Sequence, residues 1–359
     1  MTLIENFQRP GGEDWRWADL SGVAAGQAAT ARGGADWSRW RVGDRLLWVL
    51  VDGRIVKKPK LGAAHGRAGL PLADSVTAEG VALDLGPEHA SAGLIEIVHV
   101  STGGPAHVAH RYRLAADAQA SVIETYVSAG DAAAWVNSTV EIELDRGARL
   151  MRAVRRLEGA DVTATETAEV RVGQAASYAA TTLLAGAGSA RAEHRVELAG
   201  AGAFASVDGA ALASGRAKPD VMNRFVHAVP QTTGRQTWRL VASDSAVASI
   251  IGRIEVVRGA QKTDAEQSLK GLLFDRTATI NAKPELEIFA DDVKAAHGCA
   301  IGALDPMALF YLRARGVPAP RARALLTQAF VRGALETAGD EAARDALLAC
   351  ASDWLETHA

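Results

Sequence analysis

The chain has 359 residues, of which 48% are hydrophobic and 23% are charged, and its formal net charge is −3 at pH 7. The length allows two or three domains, or one elongated domain with appendages, and the composition is ordinary for a globular protein that buries a core. The charge balance excludes the basic surface that binding to nucleic acid or to an anionic membrane requires.

Neither a membrane anchor nor an export signal is expected. Every apolar run is shorter than the roughly 18 residues that span a bilayer. The segment Met1–Asn6 has neither a basic nor an apolar region, which argues against secretion. The two cysteines, Cys299 and Cys350, do not have the number or spacing of a disulfide framework. We therefore expect a reducing, cytoplasmic location.

The first 75 residues hold five of the eight tryptophans. Within them, Glu13–Leu20 predicts a short helix or turn, and residues 45–56 predict two strands joined by an Asp-Gly turn. Residues 1–75 are therefore predicted to form an N-terminal helical or mixed segment, with the tryptophans mainly in its core.

Residues 76–302 have a different sequence pattern. Short runs alternate between apolar and polar residues, as in Glu169–Val172, His194–Leu198 and Arg253–Val256, which predicts strands with one wet face. Aromatic residues are sparse and small residues abundant, which fits a narrow coil whose turns bury side chains against the turns above and below. No strict repeat is visible, so the pattern fits a β-sandwich equally well.

Residues 303–359 are predicted to be helical. Asp305, followed by proline, supplies an N-cap, and Gly316 supplies a C-terminal stop. A second helix follows, and a third begins near Asp340 with an apolar stripe. Three short amphipathic helices after a β-rich body are suited to docking a partner.

No catalytic site is predicted. None of the lysines follows a glycine, so the chain lacks a phosphate-binding loop and is not itself an ATPase. The glycine-rich stretches Ala185–Gly188 and Ala199–Gly202 lie between predicted strands and are interpreted as turns. Asp291 and Asp292 are adjacent, so on a strand they would face opposite sides and could not act together on one substrate.

His297 is the histidine with the most informative context, because it lies two residues from Cys299 where strands give way to helices. Taken alone, such a histidine is more typical of a hydrogen-bonding residue near a turn. Imidazole and thiolate also suit iron and iron–sulfur clusters, but two ligands do not make a cluster site. Any site here would need ligands from a second chain. His107 and His110 are predicted to have surface or core roles, since neither has an apparent carboxylate partner.

Uncommon residue combinations follow one another in order between Arg224 and Pro318. They are His227, Pro230, Thr232-Thr233, Gln236, Gly252–Ile254, Ala260–Ala265, Lys283–Lys294, His297-Gly298, Gly302, Leu304-Asp305 and Phe310–Gly316. In this order they resemble the C-terminal half of the SufD family, a non-enzymatic subunit of the SUF iron–sulfur cluster assembly machinery. A weaker similarity at Glu13–Leu20 and Val51–Arg54 extends the resemblance over most of the chain.

The resemblance implies a mainly β fold: a right-handed parallel β-helix over residues 76–302, flanked by N-terminal and C-terminal α-helical segments. It implies that the SufC ATPase docks on residues 303–359, and that SufB, or a second copy of the chain, pairs through the β-helix. The nascent iron–sulfur cluster is expected to be transient and shared with the partner, with no cofactor on the isolated protein. The family histidine implicated in building it maps onto His297. The candidate contacts with the ATPase are Asp305, Phe310, Tyr311, Arg313 and Arg315.

One departure from the family concerns thiol chemistry. Many members carry a cysteine two residues before the histidine, where this chain has Ala295. The competing hypothesis is a β-helix carbohydrate-active enzyme, which needs three or four carboxylates on one face of the coil. No such row is apparent in the sequence, so a non-enzymatic role is predicted.

Overall fold

The computed structural model describes residues 13–43, 46–59 and 78–358. Its body is a parallel β-solenoid of about eight turns, built from two facing sheets. The predicted parallel β-helix is therefore confirmed. The β-sandwich that the pattern also allowed is excluded, because neighbouring strands run parallel in both sheets, apart from one antiparallel pair at the N-terminal edge of the first sheet.

Strands alternate between the two sheets along the chain. In chain order they are β1 (Leu46–Val51), β2 (Arg54–Lys57), β3 (Ala82–Leu85), β4 (Leu94–Ser101), β5 (Gly104–Leu114), β6 (Gln119–Ser128), β7 (Ala134–Leu144), β8 (Arg149–Leu157), β9 (Val162–Val172), β10 (Ser177–Leu184), β11 (Ser189–Leu198), β12 (Phe204–Ala213), β13 (Lys218–His227), β14 (Thr233–Ala242), β15 (Val247–Val256), β16 (Asp264–Leu273), β17 (Thr279–Ile288) and β18 (Lys294–Gly302). The first sheet contains β1, β2 and the even-numbered strands from β4, and the second contains the odd-numbered strands from β3. One strand from each sheet makes one turn of the coil.

The first sheet reaches into the segment predicted to be N-terminal. β1 pairs in parallel with β4 and antiparallel with β2, so residues 46–57 extend this sheet. The predicted boundary at residues 75 and 76 lies outside the described residues, as does Arg45, the predicted start of the first strand.

Side chains on the inner faces stack in columns down the coil. Tyr112, Ile142, Val170, Val196 and Phe225 are register partners on successive strands of the second sheet, and all five are buried. Alternate residues of a strand face opposite sides, so every second side chain enters the core. This geometry is the origin of the alternation in the sequence.

The helices pack on the sides of the coil. They are α1 (Val23–Ala28), α2 (Pro306–Ala314), α3 (Ala319–Leu335) and α4 (Glu341–His358). Val23 of α1 packs against Trp135 of the second sheet. Val331 of α3 and Leu347 of α4 form one buried cluster with Leu183 and other residues of the first sheet. No helix in the described part of the chain is long and apolar enough to cross a membrane.

A charged network is buried between the sheets, and it was not predicted from the sequence. Arg152 on β8 donates two hydrogen bonds to Glu124, at 2.7 and 2.9 Å, and one to Glu166 at 2.9 Å. The three side chains are at most 2% exposed. Burial alone would raise the pKa of Glu124, but the charge and hydrogen bonds of Arg152 outweigh burial and lower that pKa to about 2. The carboxylate therefore stays ionised inside the coil.

We expect Arg152→Met to lower the free energy of unfolding by about 3–5 kcal/mol, because it leaves the buried carboxylate of Glu124 without a cation, whereas Glu166 keeps Arg156. Arg146→Met is the matched control: Arg146 lies 3.0 Å from Asp117, but both side chains are more than half exposed, and exposed pairs contribute about 1 kcal/mol or less. Chemical denaturation of both variants measures the difference. Equal losses of unfolding free energy in the two variants would show that the buried ion pairs stabilise the fold no more than the exposed pair does.

Candidate functional site

The coil stops after β17 in the second sheet and β18 in the first, and no described strand pairs with the outer edge of either. A free edge presents a row of backbone N–H and C=O groups that readily pair with another chain. We call β17 and β18 the open end, and it is the candidate functional site.

Apolar side chains are exposed at and beside the open end. Ile288, the last residue of β17, is 40% exposed, the adjacent Phe289 is 59% exposed, and Ile301 on β18 is 42% exposed. In a stacked coil, inner-face side chains are covered by the next turn. Exposed apolar groups beside unpaired backbone mark a surface for another protein chain.

His297 and Cys299 lie on the inner face of β18. Their register partners on β16 are Gln267 and Leu269, which are both buried in the core. Since alternate residues share a face, His297 and Cys299 point the same way as these core residues, but no further turn covers them and both are exposed. The structure therefore brings the two potential ligands singled out in the sequence onto one face of the last strand.

This pair has the chemistry of a partial metal site. The partial burial of the Cys299 sulfur raises the pKa of this thiol above its usual value, so a metal bound here would have to displace the thiol proton. Ala295 shares the face but adds no ligand. Iron–sulfur clusters take about four protein ligands, so the remaining ligands of a cluster bound here would have to come from another chain.

Asp305 has a structural role at the start of α2. Its carboxylate accepts a hydrogen bond from the backbone N–H of Met307 at 2.9 Å, which caps the helix. This N-cap was predicted from the sequence. Asp305 was also named as a candidate ATPase contact, and that role stays a prediction.

The rest of α2 presents apolar and basic side chains to solvent. Met307, Phe310 and Tyr311 are 71%, 66% and 57% exposed, and Arg313 and Arg315 are exposed as well. The guanidinium carbon of Arg315 lies 5.2 Å from the centre of the Tyr311 ring. No residue of α2 is buried, and so short a helix is marginal without packing. Much of the surface of this helix is therefore exposed to solvent and not packed against the rest of the described chain.

A second group of potential ligands lies inside the coil. His99, His110 and Glu124 each place a ligand atom within 4.8 Å of the others, and all three are buried. The geometry does not fit a metal, because Arg152 occupies both oxygens of Glu124. Nδ1 of His110 also accepts a hydrogen bond from the N–H of Val81 at 2.9 Å, so in the neutral ring the proton is on Nε2. These residues belong to the buried network, and the burial of His110 agrees with the surface or core role predicted for it. The nearby carboxylate of Glu124 was not apparent in the sequence.

Four glutamates share the outer face of the second sheet, which corrects the expectation that no row of carboxylates occurs there. Glu141, Glu143, Glu169 and Glu197 line a shallow groove of about 390 Å³. The row was missed because its members come from three turns of the coil. Three of the four are committed to ion pairs, which leaves no free pair of carboxylates for acid–base catalysis of glycoside hydrolysis. The ion pairs are Arg113–Glu143 (2.9 Å), Arg195–Glu169 (3.1 Å) and Arg171–Glu197 (2.9 Å).

Known proteins resemble this chain over the coil and the first helices that follow it. A family model described as "SUF system FeS cluster assembly, SufBD core domain" matches residues 100–330, which include the open end and α2. The chain is 27% identical to the "Iron-sulfur cluster assembly protein SufD" of Escherichia coli (strain K12), over 94% of this chain and 86% of that protein.

Two further relatives match over shorter spans. "Protein ABCI7, chloroplastic" of Arabidopsis thaliana is 29% identical over 59% of this chain and 45% of its own length. The "Iron-sulfur cluster assembly protein SufD" of Bacillus subtilis (strain 168) is 29% identical over 40% of this chain and 33% of its own length.

Proposed function

The chain belongs to the SufBD family of the SUF iron–sulfur cluster assembly system, and from this premise we propose that it is a non-enzymatic scaffold subunit of a cytoplasmic SUF complex. It holds a nascent cluster at its open end together with a partner chain, and it binds the SufC ATPase through its C-terminal helices. One observation carries the proposal: His297 is exposed on the inner face of the last strand, beside a free sheet edge.

Pairing through the open end would give the last turn the strand partners and the side-chain cover that it lacks. A partner coil of the same kind would continue both sheets, pair with the free backbone groups of β17 and β18, and cover Ile288 and Ile301. The partner we propose is a SufB-type paralogue. A second copy of this chain is the alternative, because its own open end offers the same groups.

The cluster is cargo in this proposal, not a resident cofactor. His297 supplies one ligand, and thiolates of the partner supply most of the others. A chain that contributes one or two ligands holds a cluster only while the partner is present, which suits transfer to an acceptor. The isolated protein is therefore expected to bind iron weakly and to be colourless.

The ATPase docks on the exposed surface of α2 and on neighbouring residues up to 333. Phe310 and Tyr311 supply apolar area, and Arg313 and Arg315 supply charge. Aromatic residues and arginine are the types that contribute most to interface affinity. Docking would also stabilise a helix that packs few of its own side chains.

The competing proposal is a β-helix carbohydrate-active enzyme acting in the glutamate groove of the second sheet. The ion pairs in that groove count against it, since arginine holds Glu143, Glu169 and Glu197. The groove also lies within a segment that matches a cluster-assembly family. We therefore favour the scaffold role.

His297→Ala should reduce cluster formation by at least about ten-fold in a complex reconstituted with a SufC-type ATPase and a SufB-type chain. Folding should be unchanged, because the imidazole is exposed. Cluster absorbance and far-UV circular dichroism measure the two effects. His358→Ala, which removes an exposed histidine of α4, is the control. Full cluster formation by His297→Ala would refute the ligand role.

Reversing the charge of Arg313 and Arg315 together, with glutamate at both positions, should weaken ATPase binding about ten-fold or more, since interface arginines often contribute over 1 kcal/mol each. The circular dichroism spectrum should stay β-like. Arg216→Glu, in the turn between β12 and β13 and also an exposed arginine, should have little effect. Calorimetric titration with the ATPase distinguishes the variants, and unchanged affinity of the double variant would exclude α2 as the docking site.

A further inference from the structure

A row of side chains on the inner face of the first sheet ends at His297. Gln236 on β14, Gln267 on β16 and His297 on β18 are successive register partners. The two glutamines are buried, with 0% and 1% of their surface exposed. Buried amides need hydrogen-bond partners for both the oxygen and the nitrogen.

The hydrogen bonds of this row run in one direction. Nε2 of Gln236 donates to the backbone carbonyl of Arg253 at 3.3 Å, and Nε2 of Gln267 donates to Oε1 of Gln236 at 3.3 Å. A backbone carbonyl can only accept, so the nitrogen of Gln236 must face Arg253 and its oxygen must face Gln267. The orientation of Gln267 follows from that of Gln236.

Oε1 of Gln267 is the last hydrogen-bond acceptor of the row, and it is unpaired within the described part of the chain. The atom is buried and has no hydrogen-bond partner among the described residues, which is unfavourable for a carbonyl oxygen. The next side chain in the column is His297, which can donate from a ring N–H. Neighbouring strands lie about 4.8 Å apart, so rotation of the exposed imidazole can bring a ring nitrogen to this oxygen.

Gly252 on the facing sheet leaves the room that the two amides occupy. A Cβ at this position would lie 2.7 Å from Oε1 of Gln236 and 3.3 Å from Nε2 of Gln267. Any larger residue would therefore push the amides out of line. The row is built into the packing of both sheets.

We propose that Gln267 is a positioning residue for His297. Its Oε1 accepts a hydrogen bond from one ring N–H, which selects a single tautomer of the imidazole and turns the lone pair of the other nitrogen out of the open end. Metal-binding histidines commonly have their second nitrogen held by such an acceptor, and losing it costs about 10–100-fold in metal affinity or activity. The role of this hydrogen bond in metal binding rests on the proposed function of His297, but the hydrogen bond itself can be detected without a cluster.

The test is the tautomer of His297 in the full chain, measured by 15N NMR of the imidazole at a pH where the ring is uncharged. His297→Ala assigns the signals. In the wild type, the two ring nitrogens should have widely separated shifts, as in one tautomer. In Gln267→Leu, the shifts should move toward the intermediate values of two exchanging tautomers. Intermediate values in the wild type would overturn the proposal, whether or not the variant folds.

A second readout separates this proposal from the proposed function. In the reconstituted complex, Gln267→Leu should lower cluster formation about ten-fold or more, while Gln119→Leu, a matched change at an exposed position of β6, should not. A single tautomer together with full cluster formation in His297→Ala would refute the ligand role but leave the hydrogen bond standing. Averaged tautomers together with a strong requirement for His297 would refute the hydrogen bond alone.

Discussion

Every strand of a parallel coil depends on hydrogen bonds to the strands of the turns before and after it, so a coil made of one chain has no satisfied last turn. Here that turn is β17 and β18, and most of β18 is exposed on both faces. Helices α3 and α4 stabilise the outer side of the first sheet and leave this end free. The proposed scaffold function uses the unsatisfied end as its binding surface.

Many buried polar groups bond to neighbours in the stack, and the kind of group differs between the earlier turns and the open end. Arg152 neutralises Glu124 and Glu166 in the earlier turns. Near the open end, the buried polar groups include the neutral amides of Gln236 and Gln267. Neutral amides can orient an imidazole at the end of the row without adding a charge to the surface where a partner would pair.

Much of the fold could be predicted from local pattern, since runs such as Arg253–Val256 alternate as strands do, and β15 contains this run. The choice between coil and sandwich needed the family resemblance, because the turns differ in length. Thr163 pairs with Ser189, 26 residues further on, but Val247 pairs with Thr279, 32 residues on. His297 was identifiable from its place near Cys299, where strands give way to helices, and from the family resemblance. The position of Gln267 next to His297 could not be predicted from the sequence, because it depends on the register between neighbouring turns of the coil.

Hydrogen exchange of the β18 amides, in the free chain and in complex with a SufB-type chain, tests the central claim most directly. Amides that point away from β16 have no backbone partner in the free chain and should exchange rapidly. If the open end is the pairing surface, exchange across Lys294–Gly302 should slow by orders of magnitude in the complex. Unchanged exchange across β18, with protection appearing only at other sites, would contradict the claim.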